Sequence, residues 1–222
     1  MKHKIFLVDD HPLVREWLTN LINQQGDLDV CGTADDAPAA LEAIREAKPR
    51  VAIIDLGLKT TSGLDLIKDM NNLHPEVAIL VLSMHEECHY AERALRAGAR
   101  GYITKRESTK SVIAGIRAVL DGRLFLSQRF AEDIAERMVL KRFETAQVPV
   151  SGMSDRELQV FELIGKGHGT KQISEALHVS MKTVQAYQAR IKQKLGLKTV
   201  NELMREAIRW EDSRGKLHPP NA

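Results

Sequence analysis

The chain has 222 residues, 43% of them hydrophobic and 28% charged, with a formal net charge of +2, as expected for one large or two small folded domains. No apolar run approaches the ~18 residues that a membrane helix needs. Cys31 and Cys88 are too few for a disulfide framework, so a reducing, cytoplasmic setting with two inert thiols is expected. The net charge hides an asymmetry. Residues 1–120 carry 15 Lys and Arg against 17 Asp and Glu, a balance of −2, whereas residues 151–222 carry 12 against 8, a balance of +4. A basic rear end suits a polyanion.

The chain opens with Ile5-Phe6-Leu7-Val8 closed by two aspartates, which reads as a buried strand rather than a signal peptide. Further strands are predicted at Leu28–Gly32, Val51–Ile54, Val77–Leu82 and Gly101–Ile103. Helices are predicted between and after them at Pro12–Gln25, Ala37–Ala47, Leu64–Asn71, Glu87–Ala97 and Thr109–Leu120. Val-, Ile- and Leu-rich runs alternating with helices imply parallel strands covered on both faces. Five such repeats predict a flavodoxin-like, doubly wound α/β sandwich with a five-stranded parallel sheet. Helical spacing returns over Ser127–Phe143 (Phe130, Ile134, Met138), and residues 144–152 read as a flexible joint. Beyond it the chain is all helical. Ser154 and Glu157 fit a capping box ahead of a stripe of Leu158, Phe161 and Ile164. Thr170 is expected to cap a short helix. A tight turn at His178-Val179-Ser180 leads to a long helix from Met181 to Leu195, ended by Gly196. Thr199 and Glu202 form a second capping box, opening a last helix with Val200, Leu203, Met204, Ala207 and Ile208 on one side.

Ligands of open α/β sheets bind at the carboxyl ends of the strands. Those ends carry Asp9 and Asp10, Asp55, Ser83 and Lys105. Three crowded carboxylates repel by about 4 kcal/mol per pair at ~4 Å and an effective dielectric near 20, so the cluster calls for a cation or raised pKa values. Hard oxygen ligands suit Mg²⁺, and a carboxylate can attack phosphorus to form an aspartyl phosphate. A single strand-end aspartate is more often a helix cap, and the argument rests on the joint pattern of five residues.

The segments KIFLVDDHP from Lys4, IIDLG from Ile53, VLS from Val81 and GYITK from Gly101 resemble the marker segments of two-component receiver domains over roughly residues 3–121. The resemblance implies that Asp55 is the phosphoacceptor, that Asp10 binds Mg²⁺ directly and Asp9 through water, and that Gly57 lends its backbone carbonyl. Ser83 and Tyr102 match the switch positions, and Lys105 the phosphate partner. Lys59 stands where receivers usually have proline, and Thr60-Thr61-Ser62 also departs from the common turn.

In the rear part, Val184, Tyr187, Ile191 and Leu195 recur at helical spacing and are expected to face a core. Lys182, Gln185, Ala186, Ala189 and Arg190 fall on the other side, as in a helix-turn-helix with its second helix in a major groove. The segments MSDRELQVFELI from Met153, KQIS from Lys171, KTV from Lys182 and IKQKLGL from Ile191 resemble the LuxR-type helix-turn-helix. With a receiver, the whole resembles the NarL/FixJ class of response regulators. The resemblance implies groove reading by Gln185, Ala186 and Ala189, and phosphate contacts from Lys171, Lys182, Thr183, Arg190 and Lys192. Dimerisation through Val200, Leu203, Met204 and Ala207 is also implied. Gln185 and Gln188 stand where many relatives are basic, which is expected to alter the target sequence and lower the number of DNA-phosphate contacts. The expected organisation is a receiver over 1–121, a helical linker over 122–151, a DNA-binding domain over 152–212 and a disordered tail over 213–222.

The function expected is that of a non-enzymatic transcription regulator. It takes phosphate from a sensor histidine kinase on Asp55, Ser83 moves toward the phosphoryl group and Tyr102 turns inward, and a homodimer then binds promoter DNA. Two rival readings stand beside it. A phosphatase of the haloacid-dehalogenase type wants a second aspartate two residues after the nucleophile, where Gly57 stands. A constitutive DNA binder whose receiver only docks other proteins is suggested by Lys59 alone.

Overall fold

The computed structural model describes residues 2–58, 62–84, 87–139 and 150–217, with backbone only at 87–89, 133, 135–139, 151, 155 and 213–217. Lys59, Thr60 and Thr61, the side chains of Cys88 and Met138, and residues 144–149 of the expected joint lie outside that description. The chain falls into two compact units, residues 1–141 and 142–222.

In the first unit, strands β1 (His3–Val8), β2 (Leu28–Ala34), β3 (Val51–Ile54), β4 (Ala78–Ser83) and β5 (Gly101–Thr104) alternate with helices α1 (Pro12–Asn23), α2 (Ala37–Ala47), α3 (Gly63–Leu73), α4 (Glu87–Ala97) and α5 (Thr109–Leu120). The sheet is parallel throughout, in the order β2-β1-β3-β4-β5. Because side chains alternate across a strand, Ile5, Leu7, Ile53, Leu80 and Ile103 pack on one face with Leu18 and Ile22 of α1 and Ile116 of α5. Leu28–Gly32 was the predicted span of β2, but the strand continues to Ala34. Its register against β1 slips between Ile5 and Phe6, and a Cβ at Gly32 would lie 2.6 Å from the Phe6 ring. Gly32 thus marks a bulge and a close approach rather than an end. Cys31, half-buried at this bulge, donates to the Ile5 carbonyl at 3.3 Å, and burial pushes its thiol pKa up.

The linker helix α6 (Gln128–Val139) belongs to the first unit, with Phe130 buried. The front of the expected separate linker therefore packs with the first unit.

The second unit holds α7 (Asp155–Gly165), α8 (Thr170–Ala176), α9 (Met181–Leu195) and α10 (Val200–Leu217). The predicted capping box of α7 is present, and Ser180 and Gly196 bound α9. Thr170 is not the cap of α8. Gly169 takes that place, its N–H satisfied by the Gln172 side chain at 2.8 Å. The helix α10 runs past 212 to Leu217, into the span expected to be disordered, because an anchored helix propagates at one hydrogen bond per added residue. It crosses α7 closely: a Cβ at Gly165 would lie 2.7 Å from the Ala207 carbonyl, and Phe161 meets Trp210 at 5.4 Å between ring centroids.

Candidate phosphoacceptor site and nucleic-acid interface

The end of β1 delivers Asp9 and Asp10, the end of β3 delivers Asp55, and Lys105 follows β5. All three carboxylates are buried. The Lys105 ammonium reaches between two of them, 2.6 Å from Asp9 Oδ2 and 2.7 Å from Asp55 Oδ2. Burial raises the Asp55 pKa, with Asp9 adding to the rise, against the pull of Lys105 and the Gly57 N–H, which donates to Oδ1 at 3.2 Å. Burial works to lower the Lys105 pKa, but the two carboxylates outweigh it and the ammonium is held above its ordinary value. One lysine therefore offsets part of a repulsion among three acids, leaving net negative charge at the strand ends.

Ser83 is fully buried at the end of β4, its carbonyl accepting from the Lys105 N–H at 2.8 Å. Tyr102 is 1% exposed, so its ring is already inside, on the face of β5 opposite Ile103. An inward turn of Tyr102 is thus not the motion open to this conformation.

Three residues that sequence reasoning passed over complete the site. His11 Nδ1 lies 2.6 Å from Asp10 Oδ1 and 3.1 Å from Asp9 Oδ1, on an exposed ring. Arg15, one turn into α1, donates to the Asp9 carbonyl and fastens the acidic loop to the helix. Gly63 opens α3 against the end of β3, where a Cβ would fall 2.3 Å from the Asp55 carbonyl. One ligand atom each from Asp9, Asp10, His11 and Asp55 lies within 4.8 Å of the others. Mostly hard oxygen donors at this spacing fit a divalent cation of the Mg²⁺ type.

In the second unit Val184 and Ile191 of α9 are buried as predicted, while Tyr187 and Leu195 are half-buried. Lys182, Gln185, Ala186, Ala189 and Arg190 are all exposed, and Lys171 of α8 is exposed too. The Arg190 guanidinium stands 5.9 Å from the Tyr187 ring centroid, which restrains its long side chain. The Thr183 hydroxyl is 2.8 Å from that of Ser180, so it is engaged at the helix start. Gln188 is half-buried with its amide 3.4 Å from Thr170 Oγ1, bridging α8 and α9. Lys194 has turned away from the rest of the basic set. It donates to Glu157 at 2.6 Å and to the Gly152 carbonyl at 2.8 Å. Of the expected dimerisation residues, Leu203 and Ala207 are buried, on a helix that packs with α7 and α9. The exposed stripe of α10 is Val200, Met204 and Ile208, spaced four apart and running along the flank of the buried pair.

The response regulator receiver domain family matches residues 5–117, and the luxR family of bacterial regulatory proteins matches residues 151–207. The chain belongs to the NarL/FixJ class of response regulators. This response regulator is 36% identical over 210 residues to the oxygen regulatory protein NreC of Staphylococcus aureus, covering 93% of this chain and 97% of that one. A two-component response regulator of the LuxR family from Aurantimonas is 34% identical, with a TM-score of 0.59 over 63% of this chain and 99% of the other. RcsB from Salmonella enterica serovar Typhimurium, solved on a promoter with the phosphomimetic BeF3⁻, shares the fold at 21% identity, a TM-score of 0.59, and 94% and 99% coverage. The response regulator thus joins a receiver to a DNA-binding transcription effector. Among the described residues, no helix is long and apolar enough to cross a membrane.

Proposed function

We propose that Asp55 accepts a phosphoryl group from a sensor histidine kinase and that this controls binding of promoter DNA by a homodimer. The supporting observation is the placement of the Lys105 ammonium 2.7 Å from Asp55 Oδ2, a carboxylate whose pKa burial raises. A carboxylate oxygen of Asp55 attacks phosphorus, the phosphorus–nitrogen bond of the donor phosphohistidine breaks, and the leaving imidazole nitrogen takes up a proton. Asp9, Asp10 and Asp55, with the Gly57 carbonyl, would hold Mg²⁺. The ion supplies charge neutralisation for the incoming phosphoryl oxygens.

The chain's own residues do the rest. Lys105 exchanges its carboxylate contacts for phosphoryl oxygens, which add about 1.5–2 negative charges. Ser83 offers a hydroxyl from the end of β4. Tyr102, buried from the start, changes its packing rather than turning inward. Lys171, Lys182 and Arg190 then grip DNA phosphates, with Lys192 and Thr183 as flanking contacts, and Gln185, Ala186 and Ala189 face the bases. The exposed stripe Val200, Met204 and Ile208 pairs two protomers. A full switch from 1:99 to 99:1 requires phosphate to favour the active state by about 5.5 kcal/mol.

The test compares Asp55→Asn with the parent for labelling by acetyl phosphate and for phosphate-dependent DNA affinity. The variant is expected to lose both responses while keeping its basal DNA binding. An unchanged phosphate response in the variant overturns the assignment, and a parent chain that takes no label on any donor returns the constitutive binder.

A further inference from the structure

The chain beyond α5 does not simply leave the sheet. It turns at Gly122 (φ +75), and Phe125 is laid parallel against Gly101 at the outer edge of β5. The Phe125 N–H donates to the Arg100 carbonyl at 3.0 Å, and its own carbonyl accepts from the Tyr102 N–H at 2.9 Å. The seat is built by two glycines. A Cβ at Gly101 would stand 3.0 Å from the Phe125 carbonyl oxygen and 3.2 Å from its Cβ, and one at Gly115 of α5 would stand 3.1 Å from the ring. The ring packs against the sheet core. Two residues later Ser127 caps α6, its hydroxyl accepting from the Phe130 N–H at 3.2 Å.

We propose that Phe125 is a positioning residue that couples β5 to the linker helix α6, carrying rearrangement at Asp55 into the tether of the DNA-binding unit. The proposal rests on the phosphoacceptor reading above. The path is short and made of stiff parts. Lys105, in contact with Asp55, follows β5 directly. Tyr102, three residues earlier, hydrogen-bonds Phe125, and α6 begins three residues after Phe125. A displacement of β5 cannot leave α6 in place unless the Phe125 pairing breaks. A segment that only covered the polar edge of an outer strand would keep its pairing whatever the state of Asp55, whereas coupling requires one element that both sites bias.

The test uses the full chain with beryllofluoride and Mg²⁺ as the phosphate mimic. Loading is followed by ¹⁹F resonance, amide exchange is read at Tyr102 and residues 125–131, and DNA affinity is measured with and without the mimic. Loading is expected to change exchange at those amides several-fold in the parent. Phe125→Ala should load normally yet lose at least tenfold of the gain in DNA affinity, with Phe125→Leu intermediate. Gly115→Ala, whose Cβ would fall 2.7 Å from Ile103 Cδ1 of β5 and 3.1 Å from the ring, crowds the seat between β5 and Phe125 without removing the ring and should also blunt the gain, so the idea stands or falls even where Phe125→Ala does not fold. A parent that loads with no exchange change at 125–131 overturns the coupling. So do a Phe125→Ala variant that loads and keeps its full gain and, where that variant does not fold, a Gly115→Ala variant that keeps it. A parent that gives no bound ¹⁹F signal removes the phosphoacceptor reading first, and the coupling with it.

Discussion

Asp55 carries opposing demands on a single side chain. Burial and the neighbouring Asp9 raise its pKa, above the unfolded value of about 3.9. The folded state therefore binds its proton more tightly than the unfolded state does. This group contributes most to stability at low pH, and its contribution is lost as pH rises through the folded value. At neutral pH its charge is a cost that folding bears for function. Asp55→Asn keeps the shape and removes the charge, while Lys105 keeps Asp9 at 2.6 Å. The variant is expected to melt at higher temperature than the parent at pH 7 without Mg²⁺, with the gap narrowing as pH falls. Thermal unfolding across pH checks this, and a variant that melts lower at pH 7 would show that the Lys105 pair dominates instead. Asp9, Asp10, Asp55 and Lys105 were legible because strand ends are legible, and a parallel sheet brings those ends together. His11 and Arg15 were not. Nothing in their spacing reveals that the ring turns back onto the carboxylates, or that the guanidinium reaches a backbone carbonyl.

The elements show where periodicity suffices and where it does not. Val51–Ile54, Ala37–Ala47, Glu87–Ala97 and Thr109–Leu120 fall where their apolar runs and flanking caps predict. Gly32 was misleading because a glycine serves equally well as a strand end and as a bulge. The pairing of Phe125 with β5 leaves no local signal, since a single-residue bridge has no period. In α10 the sequence presents five apolar residues, and only the partner helix decides their division. Leu203 and Ala207 are fully buried, whereas Val200, Met204 and Ile208 are 50%, 44% and 39% exposed. Two substitutions separate the sides. Leu203→Ala empties a buried site and is expected to cost the second unit about 2–5 kcal/mol. Met204→Lys should leave the monomer's melting unchanged while weakening self-association of the phosphorylated chain, seen by sedimentation, and with it cooperative DNA binding. A Met204→Lys protein that still dimerises fully would move the interface off α10.

At the scale of the whole molecule the two units carry opposite charge, −2 over residues 1–120 and +4 over 151–222, so each suits a different class of anion. On the proposed reading the acidic pocket would take phosphate with Lys105 and a divalent cation offsetting its own charge, whereas the rear unit presents cations outright. Their number should appear in the salt dependence of DNA binding, because each phosphate neutralised releases counterions and steepens the slope by about 0.9. Lys171, Lys182 and Arg190 are exposed on α8 and α9. A dimer making those contacts from both protomers should show a slope of about −5. Lys194 lies on the same helix and has the same formal charge, yet its ammonium is held by Glu157 at 2.6 Å, and the Glu157 pKa is lowered in return against its burial. Lys182→Met should flatten the slope by about 1.8, one contact per protomer, and leave stability alone. Lys194→Met should leave the slope untouched and destabilise the second unit by about 1–3 kcal/mol, since a buried carboxylate loses its partner. Binding isotherms over a salt series, paired with urea unfolding of both variants, read the two effects separately. If Lys194→Met flattened the slope as much as Lys182→Met, the ammonium would have to leave Glu157 for DNA, and the contact between α7 and α9 would be part of recognition rather than of folding.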